Sequence, residues 1–491
     1  MKSTRFRRGR IIALLSLPAL AGCAAVPDLG AAPRPRTAES VVATQSLAGT
    51  VAVASWPGEG WWQGYGDPQL SRLIEEGLAG SPDAAAAAAR FRRAQGLAQA
   101  AGAPLLPSVD ATAEGGVAKQ SYYVGVPPEF VPHGWRSTGR ASLNLGYDLD
   151  LWGGKRAAFA AATSEAEAAR IEQDQARLML TTAIAGAYAD LARLHAERDV
   201  LAAAVDLRGA TQKLVSDRVR SGLDTRAELK QADAALPTAR ADLAATDEAI
   251  ALARNQIAAL IGAGPDRGLS IARPSLTSLR PAGLPDGVTT ALIGRRPDIA
   301  AARARTEAAA SRIKVARADF FPAIRLSALV GVQALGLDNI TKSGATVGNV
   351  GPAISLPIFR GGALAGQYRG ARGAYDEAVA SYDGAVLTAY REVADAVTSQ
   401  RSTAERLAQS RQALRDSEEA YSIARKRYEG GLSTYLDVLT SEERLLQARR
   451  AVAYLDARMF ALDIALVRAL GGGFADTDSD TAQTSKDASH G

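Results

Sequence analysis

The chain has 491 residues, 47% hydrophobic but only 5% aromatic, with a formal charge of +5. That composition permits a core, built from close-packed alanine-rich helices rather than bulky side chains. Five basic residues, Lys2, Arg5, Arg7, Arg8 and Arg10, precede every acid, and the 57 Lys and Arg less those five equal the 52 Asp and Glu, so the rest is neutral and its lack of a basic block argues against nucleic acid as a partner.

Residues 1–22 read as a signal peptide, a charged start followed by the apolar stretch Ile11 to Ala21. Cys23 is the single cysteine, so there is no internal disulfide. Leu20-Ala21-Gly22-Cys23 resembles a bacterial lipobox, which predicts a covalent lipid on Cys23; a buried free thiol is the plainer alternative. Ala24, where Asp would resemble an inner-membrane retention signal, favours the outer membrane. No stretch reaches ~18 apolar residues, so no helix spans a bilayer. Residues 23–60 are rich in Pro, Ala and Gly and read as a lipidated tether.

From Trp61 the sequence is duplicated, as 61–262 and 291–473. Asp67-Pro68-Gln69-Leu70 opens a short amphipathic segment. Ser81-Pro82-Asp83 then starts a helix to about Gly102, and Arg296-Pro297-Asp298 starts its counterpart to about Ala318. After Pro107 and Pro322 the period changes to two. Val109, Ala111 and Ala113 alternate with polar neighbours, as do Ala141 to Leu151, Ile324 to Val332 and Ile354 to Ile358. These predict four strands in two hairpins, about 108–152 and about 322–359. At ~10 residues each strand is long enough to cross a bilayer at a tilt; a soluble sheet with one wet face has the same pattern.

Two long helices follow, about 153–220 and 361–428, or ~100 Å each. In the second, Leu364, Tyr368, Ala371, Tyr375, Ala378, Tyr382, Ala385 and Ala389 keep the 3.5-residue period of coiled-coil packing. Each long helix turns into a return helix, about 225–262 and 434–471. The turns match at an offset of 209: Gly222 with Gly431, Leu223 with Leu432, Thr225 with Thr434, Glu228 with Asp437. The return helices are too short to cover the long ones, so the short helices from Pro82 and Pro297 should stack on their ends. Residues 263–290 form a proline-rich connector, and 474–491 a polar tail expected to be disordered.

Four strands do not close a barrel, and open edges are not tolerated in lipid, so membrane strands require several chains to share one barrel. Two chains give eight strands with a filled interior; three give twelve and a lumen. The sequence does not choose between them.

The chain resembles the TolC/OprM-type outer-membrane efflux factors, specifically the NodT-like lipoproteins paired with RND pumps. The resemblance covers about residues 56–473. It rests on Cys23, Asp67–Leu70, Asp150-Leu151-Trp152-Gly153, Arg295–Ile299 with Phe320-Phe321-Pro322, Pro357–Gly362 and Tyr428–Leu432. It implies a mainly α fold with a β part: a homotrimer sharing a twelve-stranded transmembrane β-barrel in the outer membrane, continuing into a periplasmic α-helical barrel. It implies a passive exit duct for small molecules, served by a periplasmic adaptor protein and an inner-membrane RND pump. It places the pore gate at Leu436, Asp437 and Thr440, and the adaptor-facing tip at Gly222, Leu223, Thr225, Gly431, Leu432 and Thr434. A helix cap is the plainer alternative for Asp437, and the glycines fit ordinary helix breakers equally well.

No enzyme is expected. His133, His195 and His490 lie far apart, and no metal-ligand cluster, nucleophile elbow or phosphate loop is present. Gly361–Gly366 lacks the βαβ context of a nucleotide site, and beyond the lipid on Cys23 no cofactor is expected. Two other readings stay open: the exit duct of a type I protein secretion system, and a coiled-coil lipoprotein with no pore.

Overall fold

The alternating segments form one antiparallel sheet of β1 (Ser108–Ala118), β2 (Arg136–Leu149), β3 (Ala323–Leu335) and β4 (Thr346–Ser355), paired in that order. This computed structural model describes residues 26–43, 45–46, 55–123, 125, 127–275, 285, 288 and 292–475. The expected signal peptide, Cys23 and the tail beyond Ala475 lie outside the described residues. By its contacts the chain divides into two compact units, each drawing on both repeats. One holds Phe91–Ala169 and Ala302–Tyr382 with the residues up to Pro35; the other holds Arg36–Arg90, Arg170–Ala301 and Asp383–Gly491.

In the first unit the register decides what each face of the sheet carries. Val109 pairs with Leu145, Leu145 with Ala328 and Ala328 with Val350, so one face is a row of aliphatic side chains. One residue on, Asp110, Asn144 and Asn349 stand on the opposite face with Leu329 between them. There Thr112 and Ser142 share a hydrogen bond of 3.0 Å and Asn144 donates to Thr112 at 3.2 Å. The aliphatic face is uncovered: Leu143 is 52% exposed and Val350 77%. The fourth strand lies earlier than expected. The alternation through Ile358 does not continue the sheet, because β4 ends at Ser355 ahead of Pro357, which has no N–H to add to a ladder.

Below the sheet, Trp152 donates to the Pro322 carbonyl at 2.7 Å and stacks on Phe321 at 4.8 Å. Asp150 accepts the first backbone N–H groups of α3 (Gly154–Arg220), from Lys155 and Arg156, each at 3.0 Å. The Asp-Leu-Trp-Gly motif is thus a strand-to-helix joint. Part of the stretch read as a lipidated tether is docked. Arg372, on the second long helix, donates to the carbonyls of Gly30 and Ala31, and Tyr375 to that of Pro33 at 3.1 Å.

In the second unit α1 (Pro68–Gly80) buries Leu70, Leu73 and Ile74 against Ile184, Tyr188 and Leu191 of α3 and Ile257 of α4 (Arg226–Leu260). The connector contains a short helix, α5 (Pro265–Leu269). The remaining helices are α2 (Pro82–Gly102), α6 (Pro297–Ala318), α7 (Ala363–Glu429) and α8 (Tyr435–Ala469). Where α4 ends, Gly262 has φ 76° and a Cβ there would overlap the Gly80 carbonyl just before α2. Where α8 ends, Gly471 has φ 91° and meets the Arg295 carbonyl before α6 in the same way. Only glycine permits both the left-handed turn and the contact. At the second joint the buried Arg296 donates to the last-turn carbonyl of Ala469 at 2.9 Å, to Glu392 at 2.8 Å and to Asp298 at 2.6 and 3.0 Å.

Asp67 shows why its motif is spelled as it is. Its carboxylate caps α1 through Gln69 N–H at 2.8 Å and Leu70 N–H at 3.2 Å, and accepts from the Tyr188 hydroxyl at 2.7 Å and Ser275 N–H at 3.3 Å. Burial pushes this carboxyl up, but the hydrogen bonds from Tyr188, Leu70, Gln69 and Ser275 together hold it below the ordinary carboxylate value. A depressed folded-state pKa adds stability above the unfolded value of about 3.9 and loses it as pH falls through the folded one. Asp67→Asn keeps a cap but loses the charged acceptor, and should therefore cost on the order of 1 kcal/mol at neutral pH, the difference between charged and neutral hydrogen bonds. Thermal melts of variant and parent should converge once the pH falls below the folded-state pKa; a difference that persists there would mean the charge is irrelevant.

Candidate functional site

The two turns at the far ends of the long helices are built alike. α3 closes with Leu223 N–H on the Arg218 carbonyl at 2.9 Å and Gly222 N–H on that of Val219 at 3.1 Å. α7 closes with Leu432 N–H on Arg427 at 2.8 Å and Gly431 N–H on Tyr428 at 3.0 Å. Gly222 and Gly431, at φ 71° and 74°, take the left-handed position that this closure requires. The chain then re-enters a helix through a reciprocal cap. Thr225 N–H donates to Glu228 at 2.7 Å, and Thr434 N–H and hydroxyl donate to Asp437 at 3.0 and 2.9 Å. These bonds from Thr434 hold the Asp437 carboxyl below the usual range, so it is ionised at any physiological pH.

Leu436, Asp437 and Thr440 all lie exposed on the first turns of α8, and Leu223 and Leu432 project from the two turns, Leu432 at 73% exposure. Behind them Val215, Ala232, Tyr421, Tyr428, Tyr435, Val438 and Leu445 form a buried apolar cluster that unites α3, α4, α7 and α8.

The turns are tied by residues that sequence reasoning missed. Asp224 accepts two bonds from the Arg218 guanidinium, at 2.9 and 3.3 Å, and one from the Tyr428 hydroxyl. The guanidinium also lies 4.5 Å over the Tyr428 ring. The side chains of Asp224 and Arg218 are only 6% and 13% exposed. Burial and the neighbouring Asp224 carboxylate push the Tyr428 phenol up, so it stays a donor. One signal was available. At the repeat offset Asp224 corresponds to Ser433 and Tyr428 to Val219, so neither residue of the tie has its like in the other repeat.

Among the described residues no group of three or more His, Cys, Asp or Glu is placed to hold a metal, and none of the described helices is long and apolar enough to cross a membrane. His195 sits in α3, where burial first, and then Arg254 and Arg273, push its imidazole below the ordinary value.

A sheet with an uncovered aliphatic face, in one chain with long paired helices that end in capped turns, is the build of an outer-membrane exit duct. The chain belongs to the outer membrane efflux protein family, whose model matches residues 73–263 and 288–472. It is 31% identical to the pyoverdine export outer membrane protein OpmQ of Pseudomonas putida, over 91% of this chain and 93% of that protein. It is 36% identical to the fusaric acid resistance protein FusA of Burkholderia cepacia, over 71% of this chain but only 66% of that protein. Among solved structures it is similar to the outer membrane protein VceC of Vibrio cholerae, with a TM-score of 0.80 and 45% identity, over 85% of this chain and 100% of that one. The outer-membrane channel OprN follows at 0.79 and 28%, over 92% and 98%.

The fold class is therefore the TolC-like one, mainly helical and internally duplicated with a small sheet part; TolC-like channels are trimers that span the outer membrane with a periplasmic helical part. The protein is the outer-membrane component of an efflux system. Its relatives are channels and efflux proteins rather than enzymes, and TolC-family channels work with an adaptor and an RND pump.

Proposed function

We propose that three copies of this chain form a passive duct through which an RND pump and a periplasmic adaptor discharge small molecules across the outer membrane. The observation that carries this is the sheet: its aliphatic face is uncovered and, among the described residues, β1 and β4 each pair on one side only. In lipid such edges must be closed by other copies. Relatives named for pyoverdine export, fusaric acid resistance and multidrug resistance support small organic cargo. In a threefold assembly Leu436, Asp437 and Thr440 would ring the inner end of the duct. Gly222, Leu223, Thr225, Gly431, Leu432 and Thr434 would form its adaptor-facing rim, where exposed leucines offer apolar contact. A lipid on Cys23 fits the docked segment. Seven residues separate Cys23 from Gly30, a reach of up to ~25 Å. Gly30 is held at Arg372, nine residues into α7 and so only ~14 Å from that helix's start.

The detergent-purified protein should carry an acyl mass on Cys23 and conduct ions in planar bilayers; a monomer soluble without detergent would refute the duct. Three like charges converging on one axis attract cations. Asp437→Asn keeps an oxygen for Thr434 but removes the charge, so it should lower cation preference. Asp437→Ala should raise single-channel conductance. Recordings identical to the parent for both would leave Asp437 as a helix cap alone.

A further inference from the structure

A second charged group is buried behind the tip. Glu442 on α8 is 1% exposed at its side chain, beside Tyr421 and Tyr435 of the apolar cluster. Its carboxylate accepts from Arg208 Nε at 3.3 Å and from the Thr211 hydroxyl at 3.4 Å, both on α3. Arg208 in turn donates from Nη1 to the Ala235 carbonyl on α4 at 3.1 Å. One buried carboxylate thus ties the second helical hairpin to α3 directly and to α4 through Arg208.

The duplication shows that this reach is a departure. At the offset of 209, Glu442 corresponds to Asp233 and Tyr421 to Gln212. Asp233 stays within its own hairpin, where it accepts from Gln212 at 2.8 Å and Lys230 at 3.0 Å. In the second repeat the amide is replaced by Tyr421, and the longer acid turns across to α3. The counterparts of Arg208 and Thr211 are Ser417 and Ala420, which could not return the contact. Burial raises the Glu442 carboxyl above its ordinary value, and Arg208 and Thr211 act against that rise. A buried carboxylate with two directed bonds fixes the relative position of helices in a way that aliphatic knobs, free to slide, do not.

We infer that Glu442 is a positioning residue of the tip: with Arg208 and Thr211 it forms a second tie between the hairpins, set back from the turns, that limits how far a parting of the tip can run. This rests on the exit-duct reading. Arg208 stands ten residues, or ~15 Å, behind Arg218 of the first tie. The first tie joins α3 and its turn to α7 and the second joins α3 to α8, so both hold the two hairpins together and a wide opening requires both to part.

The test is single-channel conductance in planar bilayers for Tyr428→Phe, Glu442→Gln, and the two combined. Each single variant should raise conductance less than about two-fold, and the combination more than about five-fold. A combined effect equal to the product of the singles would overturn the inference. A merely structural role is separated by Glu442→Leu with Arg208→Leu. That apolar pair should assemble with the heat resistance of the parent, because buried ion pairs are replaceable by packed hydrophobes, yet should still open widely when Tyr428→Phe is added. If it stays as closed as Tyr428→Phe alone, the node is packing only. If the apolar pair does not assemble, the near-isosteric Glu442→Gln arm decides. A parent protein that never conducts would fail the duct reading and not this one.

Discussion

Leu143→Arg should abolish heat-resistant assembled channel in the outer membrane, whereas Asn144→Arg, one residue away, should leave it intact. Leu143 pairs with Ala111 and with Val330, near the middle of the sheet and on its aliphatic face. An arginine facing hydrocarbon at mid-depth costs ~2–4 kcal/mol in barrels of this type, and a trimer carries the cost three times. Asn144 is on the opposite face, among Thr112 and Ser142, where a long cation reaches water. The readout is the amount of trimer band that survives without boiling, together with accumulation in the membrane fraction. Equal loss for both variants would mean that the two faces see the same surroundings, and a sheet in lipid would be excluded.

Asp224→Ala should open the tip. It removes the acceptor shared by Arg218 and Tyr428 and leaves a guanidinium 13% exposed with no carboxylate beside it. Breaking a buried pair from one side costs on the order of 3–5 kcal/mol, and the lower end applies to a site close to the solvent-facing turn. That is large against the energy that holds two short turns together. Conductance in bilayers should rise several-fold, and cells should become sensitive to hydrophilic antibiotics too large for porins. Tyr428→Phe deletes a single hydroxyl and should do less, in line with ~1.5–3 kcal/mol for one hydrogen bond to a charged group. A closed, fully stable Asp224→Ala channel would show that the apolar cluster alone holds the tip.

Much of this architecture was legible before any coordinates. Pro82, Pro297 and the acids after them marked helix starts at the residues where α2 and α6 begin, since proline at the first helical turn loses no bond. Gly222 and Gly431 marked both turns because a left-handed closure needs glycine. The fourth strand was displaced because alternation alone says nothing about which residues have a partner strand, and the glycines and asparagine of 346–351 hid its first half. The contacts of residues 30–33 left no trace in the sequence, because composition gives no sign that Arg372 and Tyr375 donate to those carbonyls.

By itself the sequence determined the duplication, the helical lengths, the capped turns and the two-faced strands, all of which follow from local backbone preference and periodicity. Only the tertiary structure decided which face of the sheet stays uncovered, and that Asp224 meets Tyr428 and Glu442 meets Arg208 across 204 and 234 residues. Those contacts depend on how two hairpins pack. A buried charge takes whichever partner the packing brings within reach, and no spacing along the chain records that choice.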